Sequence, residues 1–426
     1  MRRVFCLRPR TFSALNTFTA QPIIHPHQRR QPFLTMATKT PTSTCTVTKT
    51  VPAPETMPDD EDSLKAHHVK NASGKTIKFQ NPHPSVGEVF TPLGMLKKFA
   101  LARVRGELTL PTITSTAIPS VPPTFTRLSS PPPQSLRATW LGHACYHVEF
   151  PSGLRILFDP VFEDRCSPLS FAGPKRYSPP ACQIADIPAI DAVVISHSHY
   201  DHLSYGSVME IVKKFPGVHF FVGLGLERWF RASGVVNVTE MDWWETAEVV
   251  VRREGGEEVR GLVGALPSQH FSGRTGMDKD ETLWASWEVE SGGKKVWFGG
   301  DTGYRAVPHL PAEVDDWGEE YEGLPRCPEF EKIGRLRGPF DLGLIPIAAY
   351  SPRHLMSNVH ANPYDAVEIF KDTRCKRAMG IHWGTWVLTI EPPEEPPKLL
   401  KEALKKSGIA ETGVFDTCAI GESREF

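Results

Sequence analysis

Four side chains able to ligate a metal fall within six positions, His197-Ser198-His199-Tyr200-Asp201-His202, directly after the apolar run Asp191-Ala192-Val193-Val194-Ile195-Ser196. A fold for this chain must therefore end a buried strand at an edge where these donors can gather. Side chains alternate along an extended backbone, so His197 and His199 point the same way and Asp201 can follow them before the chain turns. His202 then sits at the turn into Ser207-Val208-Met209-Glu210-Ile211-Val212-Lys213-Lys214, whose spacing predicts a helix. Two neutral imidazoles beside an Asp and a third His suit Zn²⁺ in a tetrahedral or five-coordinate site, although iron or manganese can take the same nitrogen and oxygen donors. The alternative is an exposed His-rich loop, and four donors bunched by chance after a β-branched run is the less economical reading. The run fills most of two metal sites and leaves each short of ligands.

Three later stretches can complete them. Pro267-Ser268-Gln269-His270 follows Gly261 to Leu266, Gly299-Gly300-Asp301-Thr302-Gly303 follows Lys295 to Phe298, and His382-Trp383-Gly384-Thr385 follows Ala378 to Ile381. Each donor lies at the C-terminal end of a short apolar run. Taken alone, a His or Asp there is more often a cap or turn residue. Together with the central run, they describe strands that drop one ligand each at a common edge of a rigid scaffold.

With these residues in view, the chain resembles the metallo-β-lactamase-fold hydrolases, whose signature is His-x-His-x-Asp-His with three later ligands. Within them it is similar to the N-acyl-phosphatidylethanolamine-hydrolysing phospholipase D family. The similarity runs through Trp140-Leu141-Gly142-His143-Ala144, Asp159-Pro160, Gly173-Pro174-Lys175-Arg176, Asp242-Trp243-Trp244, Ser268-Gln269-His270, Gly300 to Tyr304, Gly338-Pro339-Phe340-Asp341 and Ile381 to Thr385. The resemblance implies an α/β fold, a four-layer αβ/βα sandwich with the metals at one edge of two facing sheets. It implies that His197, His199 and His270 hold one Zn²⁺, that Asp201, His202 and His382 hold a second, and that Asp301 bridges both. Asp159 matches a position beneath the metals, where a carboxylate can accept the spare N–H of a ligand His; a plain Asp-Pro turn is the alternative. His143 is expected no nearer than that outer ring, and His147 reads as an ordinary strand residue. His360 matches a histidine near the substrate head group, and Val359 departs from the Gln of mammalian members.

Two such cations can lower the pKa of a shared water to about 7 and spread the charge that builds on phosphorus, so a phosphodiesterase is chemically sensible. The resemblance implies cleavage to phosphatidic acid and an N-acylethanolamine, with the poor leaving group helped by a metal or by a proton from near His360. A different dizinc hydrolase on the same fold, acting on another ester, lactone, thioester or phosphodiester, remains the competing reading, since fold and metal do not set the substrate. A non-catalytic interaction protein is the third class, and seven donors at strand ends weigh against it. The formal net charge of -1 argues against a nucleic-acid binder. No apolar run approaches the ~18 to 20 residues of a membrane span, so contact with a phospholipid surface is expected to be peripheral. The eight Cys are scattered, without a disulfide framework or thiolate metal spacing. Relatives form dimers, so the resemblance implies a homodimer.

Residues 1–54 contain no acid and include Arg2, Arg3, Arg8, Arg10, Arg29 and Arg30 among many Ser and Thr, the composition of a mitochondrial transit segment. An untargeted disordered tail is the alternative, and a start at Met36 would leave the chain cytoplasmic or peripheral to a membrane. These features divide the chain into a disordered transit segment over 1–40, a polar Pro-rich linker over 41–88 and a catalytic domain over 89–426. A helix is predicted between Phe90 and Gly106. An acidic insertion near 311–331 reads as a solvated loop placed where a lid would be.

Overall fold

Strand Ala192–Val194 is buried on both faces: Ala192 and Val194 enter one apolar core, while Val193 and Ile195 enter another. A strand with no solvent face needs a layer on each side. The first core lies between two sheets, where the ring centroids of Phe158 and Phe298 meet at 4.8 Å. The second lies beneath helices Tyr205–Lys214 and Glu227–Ala232, which contribute Val208, Ile211 and Phe230. The computed structural model describes residues 43–59, 63–87, 92–106, 109, 111, 118–127, 130, 132–311 and 314–426.

The sheet carrying Ala192–Val194 has seven strands, in spatial order Ser423–Glu425, Arg137–Gly142, Cys145–Glu149, Arg155–Phe158, Ala192–Val194, His219–Gly223 and Val238–Met241. The facing sheet has eight: Thr44–Thr50, Thr246–Arg252, Glu258–Leu266, Ser286–Ser291, Lys294–Phe298, Leu342–Pro346, Ala378–Ile381 and Phe415–Asp416. Each sheet is antiparallel in its first part and parallel in its second. Helices Glu329–Leu336, Pro363–Asp372 and Glu395–Lys406 supply Phe330, Ile333, Val367 and Leu400 to the core beside the larger sheet. Helix, sheet, sheet and helix make the expected four-layer αβ/βα sandwich. The register also explains the common edge: Glu258–Leu266, Lys294–Phe298 and Ala378–Ile381 all run the same way, so His270, Asp301 and His382 follow ends on one side.

The expected linker over 41–88 is a correction. Thr44–Thr50 pairs with Thr246–Arg252 as an edge strand, and His67, Phe79, Ser85 and Val86 are buried. Its Thr-Cys-Thr-Val-Thr-Lys-Thr sequence is polar because one face of an edge strand meets water, while β-branched Thr still favours the pleat. The compact unit accordingly begins near Thr40, ahead of the expected boundary at 89. The expected transit segment lies outside the described residues. The helix predicted between Phe90 and Gly106 spans Pro92–Val104. The acidic insertion is more than a solvated loop: Asp316 accepts from Arg353 Nη2 at 2.8 Å, and buried Trp317 lies 3.7 Å beneath the Arg305 guanidinium.

Candidate metal centre

The structure brings all seven expected ligands together. His197 Nε2 lies 2.8 Å from His199 Nδ1, which lies 3.3 Å from His270 Nε2. On the other side, Asp201 Oδ2 is 3.3 Å from both His202 Nε2 and His382 Nε2. Asp301 Oδ2 stands between the groups, 3.1 Å from His202 Nε2 and His382 Nε2, 3.7 Å from His270 Nε2 and 3.8 Å from His197 Nε2. Donors held about 2.0 to 2.1 Å from a tetrahedral ion lie roughly 3.4 Å apart, close to the 3.1 to 3.8 Å spacings around Asp201 and Asp301. Asp301 Oδ1 is buried without a hydrogen-bond partner among the described residues, as a bridging carboxylate awaiting a cation would be.

The surroundings fix which nitrogen each ring presents. His202 Nδ1 donates to Asp159 Oδ2 at 2.6 Å, and His270 Nδ1 donates to the Val359 carbonyl at 2.8 Å. Ser196 donates its hydroxyl to Asp159 Oδ2 at 2.5 Å and can therefore accept from His197 Nδ1 at 2.9 Å. In His197 and His270 the proton sits on Nδ1, leaving the Nε2 lone pair facing the cluster, and in His202 the Nδ1 bond to Asp159 makes Nε2 the nitrogen that can ligate once its own proton leaves. Asp159 thus stands beneath the candidate ligands and is more than an Asp-Pro turn. His143 Nε2 lies 3.0 Å from Asp201 Oδ2, and its carbonyl accepts from the His382 amide, so it braces the second group from behind. His147 bonds the Ala189 carbonyl and takes no part.

Gly300 adopts φ +57°, and a Cβ there would lie 2.5 Å from Ser196 Cβ. A side chain would push the strand end bearing Asp301 away from the turn bearing His197. Ser196 and Gly300 were not singled out by sequence reading, and Val359 stood out only for its side chain, not for the carbonyl that bonds His270. A Ser directly before the His run was a visible signal; a carbonyl partner leaves none.

Burial, reinforced by neighbouring imidazoles, holds His197 well below the usual histidine range, and burial takes His199 down to about 4. These rings are neutral and ready to ligate at pH 7. Burial alone would lower His202 and His382 too, but the carboxylates around them win: His202 is held well above its ordinary value and His382 reaches about 9. The same imidazoles hold Asp301 well below the carboxylate range despite its burial. A divalent ion must displace the protons on His202 and His382, so metal uptake at pH 7 should release between about one and two protons. Affinity should therefore rise roughly ten- to hundredfold per pH unit between pH 6 and 8, read by titration calorimetry in buffers of different ionisation enthalpy; an affinity flat across that range would contradict the arrangement.

His360 lies beside the cluster, its ring 5.0 Å from His270 and 5.2 Å from His382, and forms a further three-donor group with His270 and Asp301. Burial pushes its pKa down to about 4. The ring is thus neutral at pH 7 and suited to holding an oxygen through an N–H. Beside His199 and His270 opens a cavity of about 670 Å³, walled by apolar Phe79, Phe271, Trp284, Leu355 and Val359 among others.

Comparison with known proteins identifies the family. Residues 154–383, more than half of the chain, match the family described as "Beta-lactamase superfamily domain". This chain belongs to the beta-lactamase superfamily. Within the superfamily, the chain is 40% identical over 293 residues to "N-acyl-phosphatidylethanolamine-hydrolyzing phospholipase D 1" of Caenorhabditis elegans, covering 67% of this chain and 75% of the relative. It is 33% identical to a mitochondrial N-acyl-phosphatidylethanolamine-hydrolyzing phospholipase D of Saccharomyces cerevisiae, covering 66% of this chain and about half (53%) of that protein. Within that superfamily it belongs to the family that includes these two relatives. Among solved structures, a metallo hydrolase of Ignicoccus hospitalis aligns at 21% identity and a TM-score of 0.45, over 68% of this chain and 98% of its own. This superfamily member is a metal-dependent hydrolase.

Proposed function

We propose that this hydrolase cleaves N-acyl-phosphatidylethanolamine to phosphatidic acid and an N-acylethanolamine, using two Zn²⁺ ions. The observation that carries the reading is the apolar cavity opening directly beside His199 and His270, because a lipid phosphodiester must place a polar phosphate and an apolar chain side by side. His197, His199 and His270 would hold one ion, Asp201, His202 and His382 the other, and Asp301 would touch both. When bound, such a pair supplies Lewis acidity and an acidified water.

The chain's own groups then position and exclude. Neutral His360 offers an N–H toward the cluster to orient a phosphate or amide oxygen, and Phe271 and Trp284 keep bulk water from the chain side of the phosphodiester. The names of the relatives support this substrate. We place the reaction at a phospholipid surface in mitochondria, on the strength of the Arg-rich, acid-free first stretch and the yeast relative's name. No helix among the described residues is long and apolar enough to cross a membrane, so contact with lipid is peripheral in this reading. A homodimer belongs to the same proposal and is tested by the mass of the metal-loaded chain in solution.

The decisive experiment gives metal-loaded protein N-acyl-phosphatidylethanolamine, phosphatidylcholine and a soluble phosphodiester, and identifies the products. Release of N-acylethanolamine and phosphatidic acid from the first is expected, and cleavage of the soluble compound alone would reject the lipid substrate. In the same assay His360→Ala should raise KM about tenfold or more, the scale of one lost hydrogen bond to a charged group, with a smaller change in kcat. An unchanged KM would remove His360 from the substrate.

A further inference from the structure

The cavity beside the candidate metal ligands is not built by the matched family region alone. Its other wall is Phe79, Gln80, Asn81 and Val86, from a segment that precedes residue 154 by a long stretch of chain. This segment is pinned to the site at successive points. The Phe79 amide donates to the Asp280 carbonyl at 2.8 Å, and Asn81 Nδ2 donates to the carbonyl of His270 itself at 2.7 Å. Ser85 Oγ donates to Gln269 Oε1 at 2.5 Å, while the Ala306 amide donates to the Ser85 carbonyl at 2.7 Å. At Gly87, φ is +62° and a Cβ would lie 2.6 Å from Ala306 Cβ, so the segment presses against the loop after Asp301.

Upstream, one buried carboxylate gathers the segment. Asp242 takes His67 Nε2 at 2.7 Å on one oxygen and His68 Nε2 at 2.9 Å, together with Lys65, on the other. His67 is completely buried and stacks on Trp243 with centroids 4.1 Å apart. A carboxylate that accepts from three successive donors of one segment restrains it more than a lone surface pair would. The Asp242-Trp243-Trp244 stretch, which supplies none of the seven candidate ligands, thereby acquires a use.

We propose that residues 79–86 are the specificity-determining wall of the apolar cavity, and that Asp242 and Gln269 are the positioning residues that hold it against His270. The ligand that would feel this wall is a single apolar chain; the inference deepens the lipid reading above and rests on it. A fixed wall sets a length beyond which further methylenes find no room. Below that length, each methylene buried strengthens binding by about fourfold.

The test uses the full metal-loaded chain and N-acylethanolamines of increasing chain length, with binding followed by tryptophan fluorescence, since Trp284 lines the cavity. Val86→Phe should move the tightest-binding length to shorter chains, Val86→Ala should move it to longer ones, and Asp242→Asn should flatten the profile. A purely structural role would weaken all lengths alike and leave the optimum in place. If Asp242→Asn fails to fold, the two Val86 variants decide alone. A wild-type chain that favours longer ligands while both Val86 variants keep its optimum would overturn the wall and leave the lipid reading standing. A wild-type chain that binds no N-acylethanolamine would overturn the lipid reading first, and the wall with it.

Discussion

Asp301→Asn is expected to lower turnover roughly a thousandfold, the rate equivalent of losing several kcal/mol of charge stabilisation at a metal centre. The reason is geometric. Asp301 Oδ2 lies within 3.8 Å of Nε2 on His197, His202, His270 and His382, so it can belong to both candidate ion positions. An amide keeps the shape but loses the negative charge and presents a nitrogen that cannot ligate while it carries two hydrogens. Removing the carboxylate should also let His202 and His382 fall toward neutrality, since Asp301 is the charge that raises them most. Elemental analysis beside kcat checks this: substitution with full retention of two ions and of turnover would exclude a bridging role. His360→Ala, which removes a neighbour of the cluster rather than its shared atom, should leave the metal content intact.

Asp159→Asn should cost between about tenfold and a hundredfold in metal affinity or turnover, the range observed when the carboxylate behind a ligating histidine is replaced. Asp159 Oδ1 accepts the Ser196 amide at 2.7 Å, and Oδ2 accepts both the Ser196 hydroxyl and His202 Nδ1. Every neighbour is a donor, so a side-chain NH₂ at either position would face another donor inside a fully buried pocket. The disturbance should spread along two paths, directly to His202 and through Ser196 to His197. Ser196→Ala cuts only the second path and should cost less. Metal titration of both variants tests the order; an Asp159→Asn protein that binds metal as tightly as the wild type would show that the carboxylate merely caps the turn.

The donors were legible in the sequence because chemistry concentrates there: four in six positions after a β-branched run, and three more each following a strand. Strand and helix patterns near them were legible for the same reason, since segments buried on both faces leave long apolar runs. The N-terminal contribution was not. Thr44–Thr50 is a polar edge strand and residues 63–87 are mostly short turns and single buried side chains, so neither period two nor period 3.6 persists long enough to register. His67 and His68 looked like any polar pair until Asp242, far along the chain, was found between them. Val359 contributes a carbonyl that any residue would supply, so its identity could not announce the bond to His270. The apolar cavity was likewise invisible, because its walls come from stretches whose only common property is where the fold puts them.

The contact between Gly300 and Ser196 has a mechanical consequence. Main chain from one sheet rests on a side-chain stem from the other, with no intervening layer that could yield. The gap between the two donor sets is therefore gauged by backbone against the first atom of a side chain, much as a shim sets a clearance. Loops around the entrance can breathe or be exchanged without altering that gauge, whereas a single methyl group at position 300 would reset it.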